Sequence, residues 1–512
     1  MIGVERVIEA VSPRWAAKRA YYRSMLDMAR AYDAAKTGRR TQNWTAGNGS
    51  ANAELGTGAA RIRARTRDLV RNNPWAATAV RKLATKVIGT GITPRLRAGR
   101  DEIERKRAAA DNWTAFSENC DPEGQLDFDG KAFLAARTMF EAGEALVRFI
   151  PRPASWRLRV PLQIEVLEPD YLDSSIIRSE DNGNVIIQGV EYDPFGRRAA
   201  YWLFDEHPGE VITSARRRFA LQSRRVPASD ILHLFEPLRP GQARGVSVFT
   251  PVVLRMRDVD DYDDAELMKK KVAACFAAFV KRGAGATQTP LAGKGATADA
   301  SGERVESLRP GRLQYLGLDE DIVFAQPPAA DGFMEYMRYQ LLAIAAGTGN
   351  TYEQLTGDYS NVNYSSMRGG MIDFWDLIDH LQWHVIIPQL YRPVWNRAAA
   401  LLAATGRRNI DQPFEAIWTP PRRRWVDPQK EVAAYRDGIR SGLMTQRAAI
   451  AEQGEDPDEQ IEEIAATNTE LDELGIILDS DPRKMSRGGG ATTTGDGTAA
   501  ADGKKEAKDD EE

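Results

Sequence analysis

The chain has 512 residues, 42% of them hydrophobic and 28% charged, and a net charge of −4. That length suits about three packed units of roughly 150 residues, and no apolar run, Val272 to Val280 being the longest candidate, approaches the ~20 residues that span a bilayer. Two cysteines, Cys120 and Cys275, exclude a disulfide framework or a cysteine-rich metal site and suit a reducing cytosol.

The charge is unevenly spread: residues 1–100 hold 20 Lys and Arg against 6 Asp and Glu, and residues 451–512 hold 6 against 19. Met1 to Arg6 form no continuous apolar stretch, so no secretory leader is expected. Residues 14–36 read as a helix carrying Trp15, Tyr22, Met25, Leu26, Ala29 and Tyr32, and residues 37–58 as a loop. The basic run from Arg61 to Arg67 fits either a solvated helix face or a phosphate contact. A helix from Gly58 breaks at Asn72-Asn73-Pro74, restarts at Pro74, where proline suits the first turn, and stops at Gly89-Thr90-Gly91. Strands are expected over 145–150, 162–167, 185–192 after the turn at Asp181 to Asn184, 199–204 and 231–235.

From Pro251 to Val280 the pattern predicts one helix of about 30 residues, roughly 45 Å long. Its middle carries Asp258, Asp260, Asp261, Asp263 and Asp264, which fit a solvated acidic face or a surface that repels phosphate. Residues 283–302 have linker or hairpin composition, and short strands are expected over 311–316 and 321–324. A helix capped by Asp331 runs to Gly347. Residues 351–370 form a polar loop between two apolar helices, the second starting after Ser365 or Ser366. The loop is either a serine-capped helix entry or a functional segment, because Tyr352, Tyr359 and Tyr364 are unusual in such polar company. The last thirty residues cannot bury enough apolar surface to order themselves.

The search for chemistry excludes most enzyme classes. Gly293-Lys294 lacks the upstream glycine of an ATPase phosphate loop, with Gln288 in its place. Phe249 stands where a nucleophile elbow around Ser247 needs glycine. The acidic run has Asp263 and Lys269 where a calcium loop needs Gly and Glu. His380 and His384 have zinc-pair spacing but no third ligand, and His207 and His233 read as structural. No catalytic residue, metal or cofactor is expected. One helix cannot aim five acids at a single metal, which disfavours a DNA-processing enzyme.

Four separated stretches resemble lambda-family phage portal proteins: Arg71-Asn72-Asn73-Pro74 leading to Val87 to Ile92; His233-Leu234-Phe235 followed by Arg239 to Val246; Tyr352 to Asp358 with Asn363 to Ser366; and Val426 to Glu431. The resemblance implies a homo-oligomeric ring, normally dodecameric, at one capsid vertex, with double-stranded DNA passing through it without sequence specificity. It implies an α+β portal fold: a mixed α/β wing, long stem helices, a small α/β clip and a helical crown. By similarity, residues 1–59 form a basic helical segment, 60–250 the wing, 251–280 the first stem helix, 281–330 the clip, 331–350 the second stem helix, 351–366 a tunnel loop, 367–410 a wing helix, 411–480 the crown region and 481–512 a disordered tail. The DNA-facing candidates are then Asp358, Tyr359, Ser360, Asn361, Val362, Asn363, Tyr364, Ser365 and Ser366 in the loop. The five stem aspartates join them, with Lys269, Lys270 and Lys271 as a compensating basic band. Expected partners are the terminase large subunit, head-completion or connector proteins, and the major capsid and scaffold proteins, with no membrane. The expected location is the virion, with host cytoplasm during assembly. Another capsid-assembly protein is the alternative.

Overall fold

The computed structural model describes residue 18 and residues 47–56, 58–97, 102–210, 222–275, 279–282, 297–298, 304–305, 320–323, 332–404, 415–423 and 427–478. The helix read over 14–36, residue 18 apart, the strand read over 311–316, the Asp331 cap and the tail 481–512 lie outside them. Of a first unit, Met1–Leu55, residue 18 and residues 47–55 are described, the latter including most of α1 (Ala51–Gly56), and all the remaining elements belong to the second unit, Gly56–Glu512.

Helices α2 (Ala59–Asn72) and α3 (Pro74–Ile88) meet at the expected break. The Asn73 side chain accepts from Ala76 N at 2.9 Å, and Pro74 takes the first turn, where its missing N–H has no partner to lose. Strand β1 (Thr93–Leu96) follows, then α4 (Ile103–Asn119) and α5 (Phe128–Ala142). Neither of these two helices is among the elements expected from the sequence. In α4 only Asn112 and Phe116 are fully buried, so its apolar stripe is faint.

Two antiparallel sheets come next. The first has order β3 (Leu162–Leu167), β2 (Glu144–Pro151), β9 (Ile231–Phe235), with Leu146 opposite both Leu167 and His233. The second runs in chain order through β4 (Arg178–Ser179), β5 (Val185–Ile187), β6 (Val190–Tyr192), β7 (Arg198–Phe204) and β8 (Ser223–Pro227). The single strand expected over 185–192 is thus a hairpin. It turns at Gln188 and Gly189, both at positive φ (50° and 84°), the geometry of a tight two-residue turn.

Helix α6 (Val253–Cys275) ends before the expected boundary at 280, because Phe279–Arg282 (β10) pairs with Glu320–Val323 (β13) instead of continuing the helix. Within that insert β11 (Thr297–Ala298) pairs with β12 (Arg304–Val305). Helix α7 (Phe333–Thr348) follows Gly332 and leads to the short α8 (Tyr352–Thr356). Helix α9 (Tyr364–Leu381) passes into a π-helical stretch, Gln382–Tyr391, and then α10 (Arg392–Ala404). The π stretch contains Pro388, whose nitrogen cannot donate to an α-helical partner. Strand β14 (Ala416–Thr419) returns to pair with β1, and α11 (Pro428–Arg440), α12 (Gln446–Glu452) and α13 (Pro457–Leu474) complete the described chain.

The largest core joins α3, α4, α5, β2, β3, α9, the π stretch and α10 around Phe116, Phe128, Phe140, Ile386 and Tyr391. A second cluster roots the α6–α7 pair on α3: Val252, Met256 and Val259 pack with Val80, Leu341, Ile344 and Leu355. The third lies between the two sheets around Leu146, Leu172, Tyr201 and Ile231. At the root of the pair a Cβ on Gly347 would stand 2.3 Å from Val252 Cγ1, so only glycine lets α7 come this close. Gly347→Ala is expected to lower unfolding free energy by about 1–3 kcal/mol through overpacking, read by chemical denaturation. Adding Val252→Ala to that variant is expected to recover part of the loss, and a double variant no better than Gly347→Ala alone would contradict the contact.

Candidate functional site

The α6–α7 pair presents the acidic candidates. Asp258, Asp261, Asp263 and Asp264 are exposed and spread around α6, as the helical advance of 100° per residue requires. Asp260 is different: its carboxylate accepts from Asn73 Nδ2 at 2.6 Å, which ties α6 to the α2–α3 junction. Burial raises its pKa, against the pull of Asn73. Four of the five acids therefore face solvent and one is a structural tie. Of the three lysines, Lys269 lies 3.7 Å from Glu266 on its own helix, Lys270 Nζ sits 4.9 Å over the Phe333 ring, and Lys271 is exposed. Tyr262 packs between Phe333 and Tyr336, with ring centroids 5.7 and 4.8 Å away, and joins the two helices above their root. Leu254 and Met268 on α6 and Met334 and Tyr339 on α7 remain more than half exposed in the single chain.

The polar loop is shorter and better built than the sequence suggested. Residues 352–356 are helical, with a capping box in which Thr351 and Gln354 satisfy each other's backbone N–H. The second helix starts at Tyr364, not after Ser365 or Ser366, because Asn363 is its cap. The Asn363 side chain accepts from Ser366 N at 2.8 Å, and Ser366 Oγ accepts from Asn363 N at 3.2 Å. What remains is an arch from Gly357 to Asn363. Asp358 Oδ1 accepts from Ser360 N and Oγ at 3.0 and 2.6 Å, and the Ser360 bonds hold its carboxyl below its usual range. Tyr359, Ser360 and Asn361 are exposed at the crest, Val362 is half-buried, and Tyr364, Ser365 and Ser366 are exposed in the first turn of α9. Lys430 of α11 sits 5.2 Å over the Tyr364 ring.

Behind these elements lies a buried ionic hub that sequence patterning did not reveal. Glu144, 0% exposed at the start of β2, faces Arg244, 1% exposed. Arg244 Nη2 and Nε donate to Glu144 Oε1 at 2.6 and 2.8 Å, and Gly245 N donates to Oε2 at 2.8 Å. The rest of the guanidinium donates to the carbonyls of Gln188 at 3.1 Å and Pro169 at 3.3 Å. His233 Nε2 donates to Glu144 Oε2 at 2.8 Å, while its Nδ1 accepts from Arg198 Nη1 at 3.3 Å, so the two partners define the neutral tautomer. Arg63 of α2 approaches Glu144 Oε1 at 3.7 Å. Burial alone would raise the Glu144 carboxyl, but Arg244 and His233 hold it far below the usual carboxylate range. A charged residue inside Gly-Glu-Ala-Leu-Val, at the head of an apolar strand, was the available signal.

The other sequence candidates keep structural roles. Ser247 is buried, donates from Oγ to Phe140 O at 3.2 Å and opens the turn into α6. His380 and His384 lie on one helical face with ring centroids 5.3 Å apart, and His380 faces Glu236 at 3.7 Å. Among the described residues one group, Glu168, Asp170 and His207, brings ligand atoms within 4.8 Å of one another. Arg67 already occupies it, bonded to Asp170 and 2.7 Å from Glu168, so both carboxylates have a cationic partner. No described helix is long and apolar enough to cross a membrane.

Replacing Glu144 by Gln leaves Arg244 buried without a counter-charge and is expected to cost about 3–5 kcal/mol of stability. The paired Glu144→Leu/Arg244→Leu variant is expected to lose less. Burial pushes the His233 pKa down to about 4, against the pull of Glu144. Its ordinary value is about 6.5, so the unfolded chain binds more protons between those limits. The stability from neutral His233 is therefore present above about pH 6.5 and lost as pH falls toward 4. Denaturation midpoints at pH 7 and pH 5 are expected to separate more for the native chain than for His233→Gln, and equal separations would refute the assignment.

Residues 37–382 match the family model described as phage portal protein, lambda family. Similar relatives include the probable portal protein of Halomonas phage phiHAP-1, 27% identical, covering 88% of each chain. The portal protein of Escherichia phage N15 is 26% identical and portal protein B of Escherichia phage lambda 25%, each match covering 82% of this chain and 86% of the relative. Similar solved chains come from the neck of a native gene transfer agent particle with C12 symmetry (15% identity, 78% of this chain and 98% of that one, TM-score 0.43) and from an empty particle with C6 symmetry (16%, 76% and 93%, 0.44). The family match spans well over half of the sequence and contains the ionic hub, the acidic helix and the capped arch, and the chain belongs to the lambda family of phage portal proteins.

Proposed function

We propose that copies of this chain form the portal ring of a phage capsid vertex, normally dodecameric, and that genomic DNA is packaged and ejected through its centre. The observation that carries this reading is the α6–α7 pair. It is rooted in the body by Met256, Val259 and Ile344, bears an insert at its far end, and exposes four carboxylates together with uncovered apolar side chains. Exposed Leu254, Met268, Met334 and Tyr339 suit burial against neighbouring copies. The carboxylates suit a wall that binds duplex weakly, since strong phosphate contacts would hold DNA in place instead of letting it pass.

On this reading residues from about 60 to 250 act as wing, α6 and α7 as stem and the insert as clip. The clip receives the terminase large subunit and later the head-completion proteins, while the major capsid and scaffold proteins meet the outer ring. The arch Gly357–Asn363 faces the tunnel, and α11 to α13 belong to the crown. ATP hydrolysis resides in the terminase and this chain performs no catalysis. Its place is the virion, reached from host cytoplasm during assembly.

Negative-stain images of purified protein are expected to show rings with a central hole, whereas shells or amorphous oligomers would favour another capsid-assembly role. Deleting Asp358 to Asn363 is expected to leave rings intact but reduce the length of DNA packaged or retained; full-length packaging by that variant would return the arch to a plain helix connection. Replacing Asp258, Asp261, Asp263 and Asp264 by Asn is expected to tighten duplex binding by rings about tenfold or more at low salt, and unchanged binding would remove these acids from the channel.

A further inference from the structure

Helices α11 to α13 are joined to the body in an unusual way. None of the residues of α11 is fully buried, α12 buries Ala449 alone and α13 buries Pro457 alone. They therefore bring almost no apolar side chain into a shared core, and hydrophobic burial of roughly 1.5–3 kcal/mol per core side chain is largely missing here. Charge stands in its place. Helix α13 carries seven carboxylates and no basic residue. Facing it are α4 and β1 with Lys106, Arg107 and Arg95.

The contacts are direct. Lys106 Nζ lies 2.7 Å from Asp458 Oδ2, Arg107 Nη2 lies 2.7 Å from Glu462 Oε2, and Arg95 Nη1 lies 3.8 Å from Asp456 Oδ1. Arg447 of α12 bonds the second oxygen of Asp458. Between these elements runs a cleft of about 530 Å³, floored by Trp395 and Ile417 and walled by the ion pairs. Asp458 and Glu462 stand one turn apart, about 6 Å along the helix axis. Both carboxylates present anionic oxygens to Lys and Arg, as the phosphates of a DNA strand do. The acidic helix thus offers this basic cleft what a phosphate backbone would offer.

We propose that α13 is a detachable acidic strap over a cationic cleft formed by Arg95, Lys106, Arg107 and Arg447, and that the uncovered cleft binds the phosphate backbone of duplex DNA. A strap held by ion pairs that range from half-buried at Lys106–Asp458 and Arg95–Asp456 to exposed at Arg107–Glu462 is weak, since pairs in contact with solvent contribute about 0–1 kcal/mol each and are screened by salt. A polyanion at high local concentration competes for the same cations without having to disrupt an apolar core. This binding face lies on the wing and C-terminal helices and is separate from the acidic stem pair, so it goes beyond passage of DNA through the ring.

The test uses the full chain as assembled. Hydrogen exchange of the α13 amides is followed at about 0.05 M and about 1 M salt, between which the screening length falls to about 3 Å. In parallel, a short labelled duplex is titrated at low salt into the native chain, an Asp458→Asn/Glu462→Gln variant, and the same variant with Lys106→Gln/Arg107→Gln added. Exchange in α13 is expected to accelerate with salt while α5 does not change. The strap-neutralised variant is expected to bind duplex about tenfold more tightly, and the added Gln pair to abolish that gain. Salt-independent protection of α13 overturns the strap. A salt-labile α13 with no gain in duplex affinity overturns the DNA-binding cleft. Either failure leaves the portal reading standing, because ring images and the arch deletion test that separately.

Discussion

A fully buried carboxylate, Glu144, and the buried guanidinium of Arg244 set the geometry around which the rest of the body is arranged. Two charges out of water are tolerated only with near-complete hydrogen bonding, and here the partners come from four separate stretches of chain, around residues 169, 188, 233 and 244–245. Gly245 N, His233 and Arg244 converge on Glu144, while Arg244 also reaches Gln188 and Pro169. The three-stranded sheet, the meander hairpin, the segment after β3 and the chain entering α6 are thereby held at one point. The backbone pays for this convergence in side-chain size: a Cβ on Gly245 would meet Gly143 O at 2.0 Å, so those two glycines pass backbone against backbone.

That constraint propagates to the α6–α7 pair. From Arg244 the chain runs through the buried Ser247 and Phe249 into α6, so the hub defines where the helix leaves the body. The apolar root around Met256 and Ile344 and the Asn73–Asp260 bond then set its direction. The arch is reached from the same root, since α7 ends at Gly349 and Leu355 of α8 packs into that cluster. The arch is short and held by its own hydrogen bonds, between Asp358 and Ser360 and between Asn363 and Ser366. The C-terminal helices contrast with this: they share little core and are held by surface charge.

Much of this architecture was legible because local signals were strong. The Asn73-Pro74 break, the strands at 162–167 and 231–235 and the stop at Gly89 follow from caps, proline and period-two patterning. Elements without a local signal were lost. Helix α4 has a narrow apolar stripe, the 185–192 hairpin turns at a Gln held at positive φ, and Phe279 and Val280 continue the apolar pattern of the preceding helix although a distant strand pairs with them. The polar loop and the acidic helix stood out from composition as candidates, whereas Glu144 did not, because a single acid carries no periodicity.

By itself the sequence determined family membership, the helices and strands that carry strong local signals, and the residue types placed on the acidic helix and the polar loop. Those depend on short-range spacing and on motifs that stay readable along the chain. Only tertiary structure decided that Asp260 accepts from Asn73, that Asn363 and not Ser365 or Ser366 caps the helix after the arch, and that α13 lies against Lys106 and Arg107. Each of these depends on which polar groups meet, over a few residues at Asn363 and over hundreds at the other two sites. The cost of leaving a buried charge unpaired, or the gain from satisfying a cap, exists only once the fold has brought both partners within about 3 Å.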